Sequence, residues 1–174
     1  MKRTLLSLFC LASASLFAQN VYIPDPDLKN VLISSTGINT NGDGEISYAE
    51  ANAYTGIISA PNLTISDLTG LEAFANITEV FLPNNNISFA NFTANTALTK
   101  ISIGLNPLTT LDVTGLTNLT RLGADATYSL ASIDLSTNVN LEVLNLNNNQ
   151  LTSLDMRNGS NTAMGGCFGG LFFA

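Results

Sequence analysis

The chain has 174 residues, 45% of them hydrophobic and only 11% charged, with a net charge of −7, two cysteines and no histidine. The acidic balance excludes nucleic acid as a natural partner, because phosphate binding needs the opposite sign. Missing histidine and the lack of any Cys/His spacing exclude imidazole acid–base work and zinc chemistry.

Met1-Lys2-Arg3 precedes an apolar run from Leu5 to Phe17, and Ala18-Gln19 leads into the first polar cluster. This is the layout of a secretory signal peptide over residues 1–18, so the mature chain is expected to be secreted or held at the cell surface. The run falls short of the about 20 residues that a membrane span needs, and no transmembrane segment is expected. Phe9 stands before Cys10 where a lipid-attachment signal wants a small residue, which argues against lipidation. Cleavage after Ala18 leaves Lys29, Lys100, Arg121 and Arg157 against thirteen acids. It also leaves Cys167 without an internal partner, so packing rather than a disulfide must hold the fold.

Residues 19–54 are expected to form a helical N-terminal cap. Ile23-Pro24-Asp25-Pro26-Asp27, followed by Leu28, Val31 and Leu32, predicts a short helix. Asp25 or Asp27 serves its N-terminus, and Pro26 fits the first turn, where no N–H is needed. Residues 39–50 then present oxygen donors in alternation: Asn39, Asn41, Asp43, the Glu45 carbonyl, Ser47 and Glu50. Gly44 permits a sharp bend, and Ile46 anchors the segment in the core. The order resembles the EF-hand calcium loop, in which alternate donors converge on the ion and the twelfth residue binds with both oxygens. That resemblance implies calcium as cofactor, with those six residues as its ligands. Asn39 departs from the usual aspartate and Asn41 adds no charge, so the expected affinity is weak, with Kd about 10⁻⁴ to 10⁻³ M. The competing reading is an Asx-rich turn that caps a second helix around Tyr48 to Tyr54.

Residues 55–162 repeat. Ile77-x-x-Val80-x-Leu82, Leu98-x-x-Ile101-x-Ile103, Leu119-x-x-Leu122-x-Ala124 and Leu141-x-x-Leu144-x-Leu146 recur every 21, 21 and 22 residues. Asn85, Asn106, Thr127 and Asn149 follow three positions later. Ile58, Ala60, Ile65, Leu68, Leu71 and Phe74 fit a degenerate first coil. The pattern resembles the leucine-rich repeat, and with the cap it resembles secreted bacterial proteins of the internalin-like kind. The implied fold is an α/β solenoid with parallel strands on a concave face. Each coil stacks because it cannot bury its own apolar edge alone. The recurring Asn is expected to satisfy backbone groups at the turn, and stacked equivalents to lie close enough to bond to one another.

A second strand per coil is expected at Ala90-Asn91-Phe92, Leu111-Asp112-Val113, Ile133-Asp134-Leu135 and Leu154-Asp155-Met156, with a tolerable row of exposed acids. The third coil has Thr127 for Asn and one extra residue, so irregularity is expected between Asp125 and Leu130.

Alternation points the outer strand positions at a partner: Glu79, Phe81, Lys100, Ser102, Arg121 and Asn145. Phe81 is the expected anchor, and Glu79, Lys100 and Arg121 a small ion-pair cluster. An aligned Thr78, Thr99 and Thr120 column suits an ice-binding surface poorly, since Glu142 breaks it. No phosphate loop or serine elbow occurs, so the chain is expected to bind rather than catalyse. The ligand is expected to be a protein or glycan; the alternative is a purely structural or truncated solenoid fragment. Residues 163–174, rich in Gly and Phe, fit neither another coil nor a polar end cap, which suggests truncation or a frameshift.

Overall fold

A computed structural model describes residues 19–155, 157 and 166–167, the last two by backbone alone. The expected signal peptide, and most of the expected 163–174 tail, lie outside the described residues.

Two helices come first. Helix α1 spans Pro26–Ser34 and α2 spans Tyr48–Ala53. Asp25 caps α1 with Oδ1, which accepts from the Asp27 and Leu28 amides at 3.1 and 3.0 Å. Ser47 and Glu50 form a reciprocal capping box on α2. Leu28, Leu32 and Ala51 turn inward and join one continuous core with the coils that follow.

Strands β1 (Ile57–Ser59), β2 (Glu79–Phe81), β4 (Lys100–Ser102), β6 (Arg121–Gly123), β7 (Val143–Asn145) and β8 (Gly166–Cys167) form one parallel sheet in that order. Register follows the sequence period: Ile58, Val80, Ile101, Leu122 and Leu144 lie side by side, all buried. Burial of the central residue leaves its two neighbours pointing out, so three-residue strands suffice to set one face against solvent. Strand β8 pairs with Val143 and Leu144, adding a rung in the segment whose sequence fits no repeat.

Helix is confined to the stretch before β1. Within the coils the helical content among the described residues is a 3-10 turn at Leu71–Ala73, so the array itself is a β-solenoid and not α/β. Coils of 21 or 22 residues, studded with Asn, Thr and Asp, leave turns and no room for a helix.

Among the described residues two of the four expected second strands form. Strand β3 (Phe89–Asn91) pairs in parallel with β5 (Thr110–Asp112), one residue earlier than expected, and the segments at Ile133 and Leu154 are irregular. The extra residue in the third coil breaks the ladder. There Tyr128 adopts φ 59° in addition to the positive φ that each coil carries at Asn62, Asn84, Leu105, Ala126 or Asn148. The central Asn or Asp of each expected second-strand segment has a local task. Asn91, Asp112, Asp134 and Asp155 each accept from the backbone N–H two residues on, at 2.9 to 3.0 Å, and so start the turn into the next coil.

Left-handed backbone disfavours a Cβ-bearing residue by about 1–2 kcal/mol, with Asn the best tolerated after Gly. Leu105 occupies such a position while 54% exposed, where Asn62, Asn84 and Asn148 hold the same place in other coils. Leu105→Asn is therefore expected to stabilise the fold by about 0.5–1 kcal/mol, read as a higher urea midpoint.

Candidate functional site

The outward strand positions assemble two columns. Ile57, Glu79, Lys100, Arg121 and Val143 form one, and Ser59, Phe81, Ser102, Gly123 and Asn145 the other. All six residues expected at a partner surface thus share one face. They border a shallow groove of about 250 Å³ whose floor is the backs of the strands. Phe81 is 43% exposed at its edge.

The expected three-residue charge cluster is only a pair. Lys100 Nζ donates to Glu79 Oε1 at 2.5 Å, and among the described residues Arg121 has no carboxylate at ion-pair distance. Lys100 reaches its neighbour Glu79 on β2, which leaves Arg121 between Lys100 and Val143 with no acid adjacent to it in the column. The threonine column is structural. Thr78, Thr99 and Thr120 hydroxyls donate to the carbonyls of Thr55, Thr78 and Thr99 in the preceding coil at 3.0 to 3.4 Å.

Behind the face runs the asparagine ladder. Asn85 Nδ2 donates to Ala60 O and Leu82 O, Asn106 to Leu82 O and Ile103 O, and Asn149 to Ala124 O and Leu146 O. These three ladder asparagines therefore bond to backbone carbonyls of their own and the preceding coil and not to each other. The exception is the irregular third coil, where Thr127 Oγ1 donates to Asn149 Oδ1. A second buried pair escaped the sequence reading: Asn95 Nδ2 donates to Leu71 O and Phe74 O, and Asn138 Nδ2 to Val113 O and Leu116 O. These positions alternate with Phe74 and Leu116 along the coils, so the column carries no uniform signature.

At the other end, the 39–50 loop bends at Gly42 (φ 71°) and Gly44 (φ 80°). Asn39, Asn41 and Asp43 each accept, through one side-chain oxygen, the backbone N–H of Gly42, Asp43 and Glu45. Glu50 closes the loop from the opposite side. Its Oε1 accepts from Thr40 N and Oγ1 and Asn41 N, and its Oε2 from Ser47 N and Oγ. Burial would raise this carboxyl, but the Ser47, Thr40 and Asn41 donors outweigh it and hold the group down at about 2. The Glu45 side chain accepts from Lys29 Nζ at 2.7 Å, which ties the loop to α1. The Ile46 backbone is pinned by the chain's first described residues: Val21 N donates to Ile46 O and Tyr48 N to Gln19 O.

The cap is bolted to the coils by Asp25 and Asp27, and sequence signalled only the helix-capping half of this. Asp25 Oδ2 accepts from the Ser66 and Asp67 amides, and Asp27 Oδ2 from Thr64. Tyr22 and Ile23 ride over Gly70, where a side chain would meet Tyr22 O at 2.8 Å.

No family model matches the chain, and no curated protein resembles it in sequence. Solved structures do. The functional domain of InlJ from Listeria monocytogenes, which includes a cysteine ladder, superposes over 81% of this chain with a TM-score of 0.69 and 32% identity. The fold is the leucine-rich-repeat solenoid of the internalins. Two other internalins of that organism agree. InlF covers 80% of the chain with a TM-score of 0.66 and 22% identity, and internalin C2 covers 79% with 0.67 and 26%. This internalin-like solenoid spans 30%, 43% and 62% of those three chains. Among its described residues no helix is long and apolar enough to cross a membrane.

Proposed function

We propose that the chain is an extracellular or cell-surface recognition module whose concave sheet contacts a protein partner and whose cap is stapled by calcium. The observation that carries the reading is the face itself. A half-exposed Phe81, an ion pair and an arginine with no carboxylate partner among the described residues border one groove, on a sheet whose inward residues Ile58, Val80, Ile101, Leu122 and Leu144 are committed to the core. Aromatic and arginine side chains at the centre of such a patch are the residues that dominate interfaces. Affinity capture with the chain as bait is expected to lose its protein partner tenfold or more when Phe81→Ala and Arg121→Ala are combined. A partner retained by the double variant would remove the concave face from the account.

For calcium, the donor chemistry fits a hard cation. Asp43 and Glu50 supply carboxylates, Asn39 and Asn41 amide oxygens, Ser47 a hydroxyl and Glu45 its carbonyl. Within the loop, Thr40 and Asn41 donors stand where Glu50 would face the ion, so binding exchanges those hydrogen bonds for metal contacts and stays weak. With Kd about 1 mM, 10 mM calcium would stabilise the folded chain by about 1.4 kcal/mol. Calorimetric titration is expected to give heat with the unsubstituted chain and none with Glu50→Ala; equal heats from both would dismiss the ion.

A further inference from the structure

Of the four basic residues after Ala18, three are spent on acids of this chain: Lys29 on Glu45, Lys100 on Glu79 and Arg157 on Asp155. In a sequence with thirteen acids, the one cation with no carboxylate partner among the described residues is Arg121, on the concave face. Two positions along the same strand stands Gly123. A strand glycine loses backbone entropy and packs nothing, so its presence calls for a reason. Backbone conformation is not the reason, because Gly123 is absent from the positive-φ glycines. Crowding is not the reason either, since a Cβ there would meet its nearest neighbours, Ile101 O and Ser102 Oγ, at 3.9 and 4.0 Å. What the glycine does is leave a gap one side chain wide in the outer column, between Ser102 and Asn145. Arg121, about 6.6 Å away along the strand, faces the same side.

We propose that this notch receives a carboxylate side chain, Asp or Glu, of the protein partner. The inference rests on the concave face being the binding surface. Arg121 supplies a planar fork of donors that matches a carboxylate, and the Ser102 hydroxyl and Asn145 amide flank the gap on neighbouring strands about 4.8 Å away. A single guanidinium suits a single anionic group. A polyanion would meet one free cation against thirteen acids and be repelled. Phe81 and Val143 border the same groove, so apolar residues beside the acid complete the match and favour a peptide segment over a charged saccharide.

The test pans the chain against a displayed library of random peptides and compares the selected binders on four proteins: unsubstituted, Phe81→Ala, Arg121→Gln and Gly123→Val. Gly123→Val fills the notch without altering charge, and with open space around it and less backbone entropy to lose on folding its melting temperature is expected to be no lower than that of the unsubstituted chain. Binders are expected to be rich in Asp or Glu beside apolar residues and to weaken tenfold or more with Arg121→Gln and with Gly123→Val. Replacing the peptide's acid by its amide is expected to weaken binding to the unsubstituted chain but to add nothing on Arg121→Gln, the coupling that marks a direct pair. Peptides that need Phe81 yet ignore both Arg121→Gln and Gly123→Val would overturn the notch and leave the binding face standing. Failure to select any peptide that depends on Phe81 would overturn both. Retention of a glucuronic-acid oligosaccharide through Arg121, with no acidic peptide selected, would overturn the protein partner.

Discussion

Asp25→Ala is expected to lower the stability of the chain by about 3–4 kcal/mol and to release the helical cap from the coils. The magnitude combines an N-cap, worth about 1 kcal/mol, with two backbone amides left without an acceptor, each taken near the lower end of its range at about 1–1.5 kcal/mol. Asp25 is only 6% exposed, so water does not replace the lost oxygens. One carboxylate serves α1 through Oδ1 and the first coil through Oδ2. Losing it therefore breaks a joint between units and not merely a helix end. Asp25→Asn keeps an acceptor on one side and is expected to lose less. Burial pushes the carboxyl up, but N–H donors from Ser66, Leu28, Asp67 and Asp27 prevail and hold it below its ordinary value of 3.8. A carboxyl depressed in the folded state stabilises above its unfolded pKa, and that contribution disappears as pH falls through the folded value. Urea unfolding at pH 7 and again below pH 4 is the measurement. A loss under 1 kcal/mol for Asp25→Ala at pH 7 would show that the cap is held without Asp25, by its apolar contacts and the Asp27–Thr64 bonds.

Asp25 also shows where local pattern stops being informative. A cap at Asp25 or Asp27 was legible because Pro26 and the apolar spacing of Leu28 and Leu32 mark the helix start, and the structure selects Asp25. Its second role depends on Ser66 and Asp67, some forty residues later, which only the stacking of the first coil brings near. The same division runs through the face. Register was readable because Val80, Ile101, Leu122 and Leu144 answer a single demand, an apolar side chain pointing inward once per coil. That demand fixes which residues point outward but not how they pair. Lys100 was free in sequence terms to reach Glu79 or to stay in solvent; its choice of Glu79 is what leaves Arg121 alone. The second sheet stops after β5 because one inserted residue outweighs the recurring apolar-acid-apolar triplet. Asn95 and Asn138 went unseen because the same buried column holds Phe74 and Leu116 in the alternate coils, which fill the slot by different means.

Asn106→Ala should be among the most damaging single substitutions in the array, at about 3 kcal/mol. The side chain is 2% exposed. Its Nδ2 donates to Leu82 O, Ile103 O and Gly104 O at 2.9 to 3.2 Å, and its Oδ1 accepts from Ile87 N at 3.0 Å. Truncation leaves a buried N–H and a buried carbonyl without this partner, each worth about 1–3 kcal/mol, and opens a small cavity. Asn85 makes the matching bonds one coil earlier but is half-buried, so water can enter and Asn85→Ala should lose only about 1 kcal/mol. Thr127 occupies the ladder position of the third coil, which shows that a lone hydroxyl can serve there when Asn149 is its neighbour. Asn106→Thr is accordingly expected to fall between the alanine variant and the unsubstituted chain. The consequence reaches the face, because the ends of β2 and β4 that Asn106 ties together carry Phe81 and Ser102. Partner affinity should weaken with Asn106→Ala although the side chain touches no ligand, and the loss should track the urea midpoint across the three variants. Equal losses at Asn85 and Asn106 would mean that burial does not set the strength of the ladder, and the stacking energy would then have to be sought in the apolar column alone.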